Sequence, residues 1–170
     1  MTVAIAEAWV EKPLRRFVED ARLLFALLLH PNGQVLGQHG FTRAVDVMGA
    51  CALAAAIHAS SDHLGREVEG KPFRELFHAG RERQIFLAPA ATDAGPLVVL
   101  AVFDGDSSLG LVRLYFKELC EALKAAAPAP QAARRIIAEN FEQELNRNLA
   151  ILFGRAPSDA ARPDPRHPIA

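Results

Sequence analysis

The spacing of hydrophobic residues changes several times along the chain, and each change predicts a different structural element. Helical spacing follows Pro13, a residue well tolerated in the first turn of a helix; the apolar positions are Leu14, Phe17, Val18 and Ala21. The sequence leaves open whether residues 1–11 extend this helix or form a separate short one. A continuous apolar run over residues 23–29 then stops at Pro31-Asn32-Gly33 and resumes at Val35. Because Asn-Gly readily adopts the positive φ angles of a tight turn, this pattern predicts a β-hairpin.

A long, alanine-rich helix is predicted from about Arg43 to Leu64, with Thr42 as its N-cap. Small residues cover much of its surface: Gly49, Ala50, Ala52, Ala54, Ala55, Ala56 and Ala59. The larger apolar residues are Val45, Met48, Leu53, Ile57 and Leu64. A helix that is apolar on more than one side is normally buried on more than one side. We therefore expect its second side to contact another chain, and we expect a polar loop over residues 65–72 to follow it.

Three strands and a third helix come after this loop. The strands are predicted at Phe73–Phe77, Gln84–Pro89 and Leu97–Phe103. The helix is predicted from about Ser108 to Ala125, with Ser107 or Ser108 as its cap and prolines beyond its end. Its apolar face consists of Val112, Phe116, Leu119 and Leu123. The resulting order, α-β-β-α-β-β-β-α, predicts a mixed α/β (α+β) fold.

A separate amphipathic helix is predicted from about residue 131 to 153. Its apolar residues recur at every fourth position: Ile137, Phe141, Leu145, Leu149 and Phe153. Residues 155–170 are rich in proline and are expected to be disordered. We therefore divide the chain into a domain over residues 1–126, a linker and amphipathic helix over 127–154, and a tail over 155–170. The sequence leaves open whether this helix docks on its own domain or on a partner through Phe141, Leu145 and Leu149.

Composition narrows the classes of function. The chain has 19 Lys and Arg residues against 20 Asp and Glu residues, with a net charge of −1 and no dense basic block. A nucleic-acid surface needs clustered Lys and Arg to neutralise phosphates, so this class is disfavoured. The N-terminus lacks the pattern of a signal peptide, and no segment approaches the roughly 20 apolar residues that span a bilayer. We expect a cytoplasmic protein that does not insert into membranes.

No group of polar residues has the spacing of a catalytic or metal site. Cys51 and Cys120 lie far apart in helical apolar patterns and are expected to be small buried hydrophobes. The run Ser60 to His63 contains the residue types of a hydrolytic triad, but consecutive helical residues point in different directions. Asp104 and Asp106 are explained by a turn that caps the following helix. We therefore expect no enzymatic activity, no metal and no cofactor.

Several segments, in order, resemble the Roadblock/dynein-light-chain domain family. Residues 27–37 are similar to its first hairpin, and Ala50 to Ala59 to its dimer-forming helix. Residues 100–113, which include Phe103-Asp104 and Leu109-Gly110, are similar to its last strand and helix. The nearest likeness is to the bacterial MglB (mutual gliding protein B) branch, with which the chain shares the segment Phe77 to Glu82. The resemblance covers roughly residues 12–125.

This resemblance implies a sandwich in which a five-stranded antiparallel sheet lies between helices. It also implies a homodimer, in which two copies pair through the second helix and the third strand to form one continuous sheet. Carried over to this sequence, the dimer interface would consist of Gly49, Leu53, Ala56, Phe73, Leu76 and Phe77.

The resemblance further implies a partner. MglB-type dimers bind a Ras-like small GTPase, termed MglA, and stimulate its GTP hydrolysis by repositioning the GTPase's own switch residues, in cell polarity and motility. Carried over, the outward small-residue face of the second helix would bind the GTPase through Met48, Ala52, Ala55 and Ala59. Small side chains allow a close approach and lose little conformational entropy on binding. The alternative that this face only packs the dimer stays open.

Two other classes of function are compatible with the sequence. The chain could be a scaffold module of a multi-protein complex with no effect on hydrolysis, or a small-molecule sensor domain. The sensor hypothesis needs a cavity with polar lining, for which the dense Ala, Leu and Val pattern offers little material.

Overall fold

The computed structural model describes residues 7–41 and 45–128. Within these ranges the elements follow the predicted order. The helices are α1 (Ala8–Asp20), α2 (Val47–Glu69) and α3 (Leu109–Ala126). The strands are β1 (Phe25–Leu29), β2 (Val35–Gly40), β3 (Leu76–Ala79), β4 (Gln84–Thr92) and β5 (Gly95–Phe103). The predicted C-terminal helix and tail lie outside the described residues.

The strands form one five-stranded sheet in the order β2-β1-β5-β4-β3, and every neighbouring pair is antiparallel. β5 lies at the centre, and its residues from Leu97 to Phe103 are all buried. A strand buried on both faces reads as a continuous apolar run, as this one does. The predicted five-stranded antiparallel sheet is confirmed.

Helices cover both faces of the sheet because successive strand residues point to opposite sides. Leu28, Phe86 and Val99 pack with α1 and α3 in one hydrophobic core. Their neighbours in sequence pack with α2 in a second core on the other face: Leu27, Leu87, Val98 and Leu100. The alternation along β1, β4 and β5 therefore assigns each helix to its face.

α1 extends before Pro13, one of the two alternatives that the sequence left open. It starts at Ala8, so Pro13 lies inside the helix and not in its first turn. Proline removes one backbone hydrogen bond there, but Val10 and Leu14 on either side of it are both buried in the core. Their packing keeps the helix continuous across the proline.

α2 is displaced toward the C-terminus relative to the prediction. Its N-cap is Asp46, whose side chain accepts a hydrogen bond from the Gly49 backbone N–H at 3.1 Å, whereas Thr42 lies outside the described residues. The predicted loop from Gly65 is wrong, because the helix continues to Glu69 and ends at Gly70 in the left-handed conformation. A Cβ at Gly65 would lie 2.6 Å from the Phe73 backbone nitrogen. Glycine at this position allows the chain after α2 to run back against the helix.

Four strand boundaries also differ from the prediction. β3 runs from Leu76 to Ala79, so Phe73 precedes the strand. The gap predicted between β4 and β5, residues 90–96, shrinks to a turn at Asp93-Ala94, because the two strands extend as a long hairpin. Gly95 supplies the positive φ that this turn requires, and the Thr92 hydroxyl donates a hydrogen bond to the Gly95 carbonyl at 2.9 Å. The hairpin at Asn32-Gly33 and the Ser108 cap of α3 are confirmed.

Candidate partner-binding surface

The outward side of α2 carries a row of large apolar side chains that no described element covers. We call this row the α2 stripe; its members, with their exposed fractions, are Leu53 (65%), Ile57 (42%), Leu64 (55%) and Val68 (68%). At about 100° per residue, spacings of four and seven place all of them within a sector of about 60°. Exposed apolar residues that cluster in this way mark interaction surfaces, whereas single ones are ordinary.

The side of α2 opposite the stripe faces the sheet. Cys51, Ala54 and Ala55 are buried there against β1, β4 and β5. Their small side chains allow the helix to pack closely on the sheet. The sequence expectation that α2 is apolar on more than one side is therefore met, with small residues facing the sheet and large ones facing outward.

The predicted GTPase-binding residues do not all share one surface. Met48, Ala52 and Ala59 are exposed. Ala55 was placed on this outward face, but the structure corrects that placement: its side chain is only 7% exposed and packs into the core beneath α2. The helical period explains the error, because Ala55 lies one turn from Cys51 on the sheet-facing side.

The α2 residues predicted for the dimer interface lie toward the outward side. Leu53 belongs to the α2 stripe, Ala56 is exposed beside it, and Gly49 is half-buried. Sequence reasoning left Ile57, Leu64 and Val68 out of the candidate site. The signal that could have found them is the spacing of four and seven residues that connects them to Leu53.

The remaining predicted interface residues lie at one edge of the sheet. β3 is an edge strand: within the described residues it pairs only with β4. Phe77 lies in it and is exposed, Leu76 is half-buried, and Phe73 lies in the segment before it. An edge strand presents unpaired backbone N–H and C=O groups, so it can pair with another chain.

The segment before β3 connects this edge to α2. Phe73, Glu75 and Leu76 lie beside the C-terminal half of α2, where His58, Ser61 and Asp62 face them. The Asp62 carboxylate accepts from Arg66 Nε at 3.2 Å, within the helix. α2 and the β3 edge are thus neighbouring parts of one side of the domain, as a shared interface requires.

The described residues can be compared with the requirements of a metal or thiol site. Within residues 7–41 and 45–128, no group of three or more His, Cys, Asp or Glu side chains is arranged so that it could hold a metal ion. Burial raises the pKa of the Cys51 and Cys120 thiols, which disfavours the reactive thiolate. The Asp104 carboxylate accepts from the Asp106 backbone N–H at 3.0 Å, so it belongs to the turn before α3.

An open groove lies between the N-terminal end of α2 and the β3–β4 hairpin. Its walls are largely apolar, with Phe25, Ala50, Ile85 and Val102 among them, and His78 and Arg83 stand at the same place. The polar lining that a small-molecule sensor needs is therefore sparse in this groove.

Comparisons with solved structures agree with this architecture. Myxococcus xanthus MglB is 26% identical with a TM-score of 0.64, and the match covers 69% of this chain and 94% of that chain. The gliding protein MglB of Thermus thermophilus is 25% identical with a TM-score of 0.61, covering 75% and 93%. A Roadblock/LC7 domain from Streptomyces avermitilis, at 18% identity and a TM-score of 0.56, shares the fold over 67% of this chain and 93% of its own.

The fold and the exposed surfaces define a small α+β interaction domain, with a sheet covered by helices on both faces and with β2 and β3 as its edge strands. The similarities to solved structures narrow this further: they support a Roadblock-family domain close to MglB. The sequence itself matches no family model.

One curated sequence also resembles part of the chain. UDP-N-acetylmuramoylalanine–D-glutamate ligase of Thiobacillus denitrificans is 33% identical over 114 residues, which are 61% of this chain and 24% of the ligase. The chain thus spans about a quarter of the length of that relative. Most of the ligase lies outside the match, so the match does not extend the ligase's activity to this chain. Within residues 7–41 and 45–128, no helix has the length and apolarity needed to cross a bilayer.

Proposed function

We propose that this chain is a homodimeric regulator of a Ras-like, MglA-like small GTPase, whose GTP hydrolysis it stimulates without being an enzyme itself. The observation that carries the proposal is the match to Myxococcus xanthus MglB, which spans 94% of that chain at 26% identity. The role in hydrolysis is the one that the MglB resemblance implies. The uncovered α2 stripe and the free β3 edge support it, because they are the elements through which such dimers form.

The energetics of the α2 stripe favour self-association. Full burial of a Leu, Ile or Val side chain is worth roughly 1.5–3 kcal/mol, whereas association costs roughly 4–15 kcal/mol in lost freedom. The free energy gained by burying one partly exposed stripe against a polar partner would only be close to the lower end of that cost. Two facing stripes double the apolar contribution, and pairing of two β3 edges would add backbone hydrogen bonds.

The GTPase-binding part of the proposal rests on Met48, Ala52 and Ala59. They are exposed on α2 but lie outside the stripe, roughly 100–140° around the helix from its nearest member. Small side chains let a switch segment of the GTPase approach the helix backbone closely, and alanine loses no rotamer freedom on binding. Met48 adds an unbranched, adaptable apolar contact. In this proposal the stripe pairs the protomers and the small-residue side contacts the GTPase.

The regulator acts on switch residues of its partner and supplies no catalytic group. Arg66 is an exposed cation on α2, and its partner is Asp62 of the same helix. An arginine finger contributes about 10³–10⁵-fold to GTP hydrolysis. Arg66→Ala is therefore expected to retain stimulation within a few-fold, measured by single-turnover hydrolysis. A loss of a hundredfold or more would contradict repositioning as the mechanism and assign Arg66 a direct role.

Complex formation tests the proposed partner. The full chain is mixed with an MglA-like GTPase loaded with either GDP or a non-hydrolysable GTP analogue, and association is measured by analytical ultracentrifugation. We expect a complex with the analogue-loaded form, since a stimulator of hydrolysis acts on the triphosphate state. No complex in either state would contradict the proposal. A complex that leaves the hydrolysis rate unchanged would support the scaffold alternative instead.

A further inference from the structure

We propose that an ion pair between Arg113 of α3 and Glu75 positions the β3 edge strand for pairing with a second copy of this chain. The inference rests on the proposed homodimer and assigns it a positioning residue outside the contact surface. Arg113 Nε donates to Glu75 Oε1 at 2.6 Å, and Arg113 Nη2 contacts the same oxygen. Glu75 immediately precedes β3.

The Arg113–Glu75 ion pair differs from the other ion pairs in the parts of the fold that it connects. Within residues 7–41 and 45–128 the other ion pairs join Arg66 to Asp62 inside α2 and Lys124 to Glu121 inside α3. Arg113 lies in α3, whereas Glu75, 38 residues away in the sequence, lies in the segment just before β3. Among the described residues, only this ion pair joins a helix to a different part of the fold.

β3 needs such a connection because little else holds it. The strand has four residues, pairs only with β4 in the described chain, and exposes every residue except the half-buried Leu76. The Phe77 ring stacks against Phe103 with centroids 6.4 Å apart. Short, exposed segments with few buried contacts open at low free energy, even in a stable domain.

The pair connects the start of the strand to α3. Leu76 belongs to the core beneath α2. Glu75, which also lies beside α2 near His58 and Asp62, contacts Arg113 of α3 through its carboxylate. α3 is itself anchored by Val112, Leu119 and Leu123 in the first core. The well-anchored helix α3 thus holds Glu75, the residue immediately before the weakly held strand β3.

An ordered edge strand matters for the affinity of the dimer. If β3 is ordered in only a fraction of the molecules, the apparent dissociation constant equals the intrinsic one divided by that fraction. A partly exposed ion pair contributes up to about a fivefold change in a local equilibrium. A symmetric dimer contains the pair twice, so its loss is expected to raise the dimer dissociation constant by at most about 25-fold. The effect on global unfolding is expected to be small.

The experiment compares Arg113→Gln with Lys124→Gln in the full chain. Both changes remove one cation from an ion pair on α3, but only Arg113 contacts another element. Amide hydrogen exchange of β3 and the dimer dissociation constant are measured. For Arg113→Gln we expect faster exchange in Leu76–Ala79, unchanged exchange in β1 and β5, and a dissociation constant raised at least threefold. Lys124→Gln should match the wild type in both.

A charge swap separates positioning from a general structural effect. Arg113→Glu alone should weaken self-association, and Arg113→Glu combined with Glu75→Arg should restore both β3 protection and the dissociation constant. Failure of the swap to restore them, or wild-type exchange in Arg113→Gln, would overturn the inference. A wild-type chain that stays monomeric at all concentrations would instead contradict the proposed homodimer, and the exchange measurement would still test the ion pair.

Discussion

At the scale of single residues, the alanines of α2 serve two different purposes. Ala54 and Ala55 are buried and bring the helix close to the sheet. Ala52 and Ala59 are exposed, and their short side chains leave the helix backbone accessible from solvent. The same residue type therefore contributes to the core at two positions and to the candidate binding surface at two others. Substitution by a long charged residue should separate these purposes.

Ala55→Arg and Ala59→Arg form a matched pair for this test. Ala55→Arg forces a charged side chain toward a buried site that offers it no described partner, and it should lower the free energy of unfolding by roughly 3 kcal/mol. Ala59→Arg is exposed and should change it by no more than about 0.5 kcal/mol. Urea denaturation of both variants checks the difference. Equal stabilities would contradict the orientation of α2 on the sheet.

Gly65 provides a second test at this scale. Alanine is favoured over glycine in helices by about 1 kcal/mol, but a Cβ here would lie 2.6 Å from the Phe73 nitrogen. The added Cβ should displace the segment at Phe73, and this cost should exceed the gain in helix propensity. Gly65→Ala is therefore expected to lower the free energy of unfolding by roughly 1–3 kcal/mol.

Gly110→Ala is the control for Gly65→Ala. Gly110 also lies in a helix, α3, but the nearest neighbour of its added Cβ is Ser108 Oγ at 4.0 Å. This variant should gain up to about 1 kcal/mol in thermal or urea unfolding. Stabilisation by both substitutions would show that the chain after α2 does not pack against Gly65.

At the scale of elements, α2 and β3 are set apart because each has a side that the domain leaves uncovered. The large residues of the α2 stripe face outward, and β3, like β2 at the opposite edge, lacks a second neighbour among the described strands. β5, by contrast, is buried on both faces. α2 and β3 thus each pack on the domain with one side and leave another side available to a partner.

Leu64→Glu and Leu114→Glu test the α2 stripe directly. Leu64 is 55% exposed on α2 and Leu114 is 54% exposed on α3, so the two substitutions differ mainly in location. Leu64→Glu removes apolar burial twice per dimer and adds two like charges, and it should raise the dissociation constant by about 100-fold or more. Leu114→Glu should leave it near the wild-type value. Sedimentation equilibrium provides the measurement, and equal effects of the two variants would contradict the assigned interface.

The element order could be predicted from the sequence because hydrophobic periodicity and turn residues report local structure directly. Asn32-Gly33 predicted its hairpin and Ser108 its helix cap, since both signals act within a few residues. The end of α2 could not be predicted in this way. Gly65 reads as a helix terminus locally, and only its contact with the segment at Phe73 explains a glycine inside the helix.

The candidate site was harder to predict than the fold. Composition showed that α2 is apolar on more than one side, but a helix rich in alanine gives little contrast between its faces. Ala55 was therefore placed outward by resemblance, although its packing with Cys51 places it against the sheet. The Arg113–Glu75 pair had no local signal at all, because it depends on how α3 lies relative to β3.

At the scale of the whole molecule, the domain combines a closed core with surfaces suited to two different partners. In the proposed function, the α2 stripe and the β3 edge pair with a second copy of the chain, and the exposed small residues of α2 contact a GTPase. This division predicts that the two contacts can be lost separately. Ala52→Arg combined with Ala59→Arg should leave the dissociation constant of the dimer within a few-fold of the wild type.

The central claim is tested most directly by single-turnover GTP hydrolysis of an MglA-like GTPase with increasing amounts of this protein. The wild-type chain should accelerate hydrolysis to a saturating rate, and the folded Ala52→Arg plus Ala59→Arg variant should not. Leu114→Glu, altered on α3, should accelerate it like the wild type. An unchanged rate with the wild-type chain would contradict the proposed regulation, and full acceleration by the double variant would contradict the assignment of the binding surface.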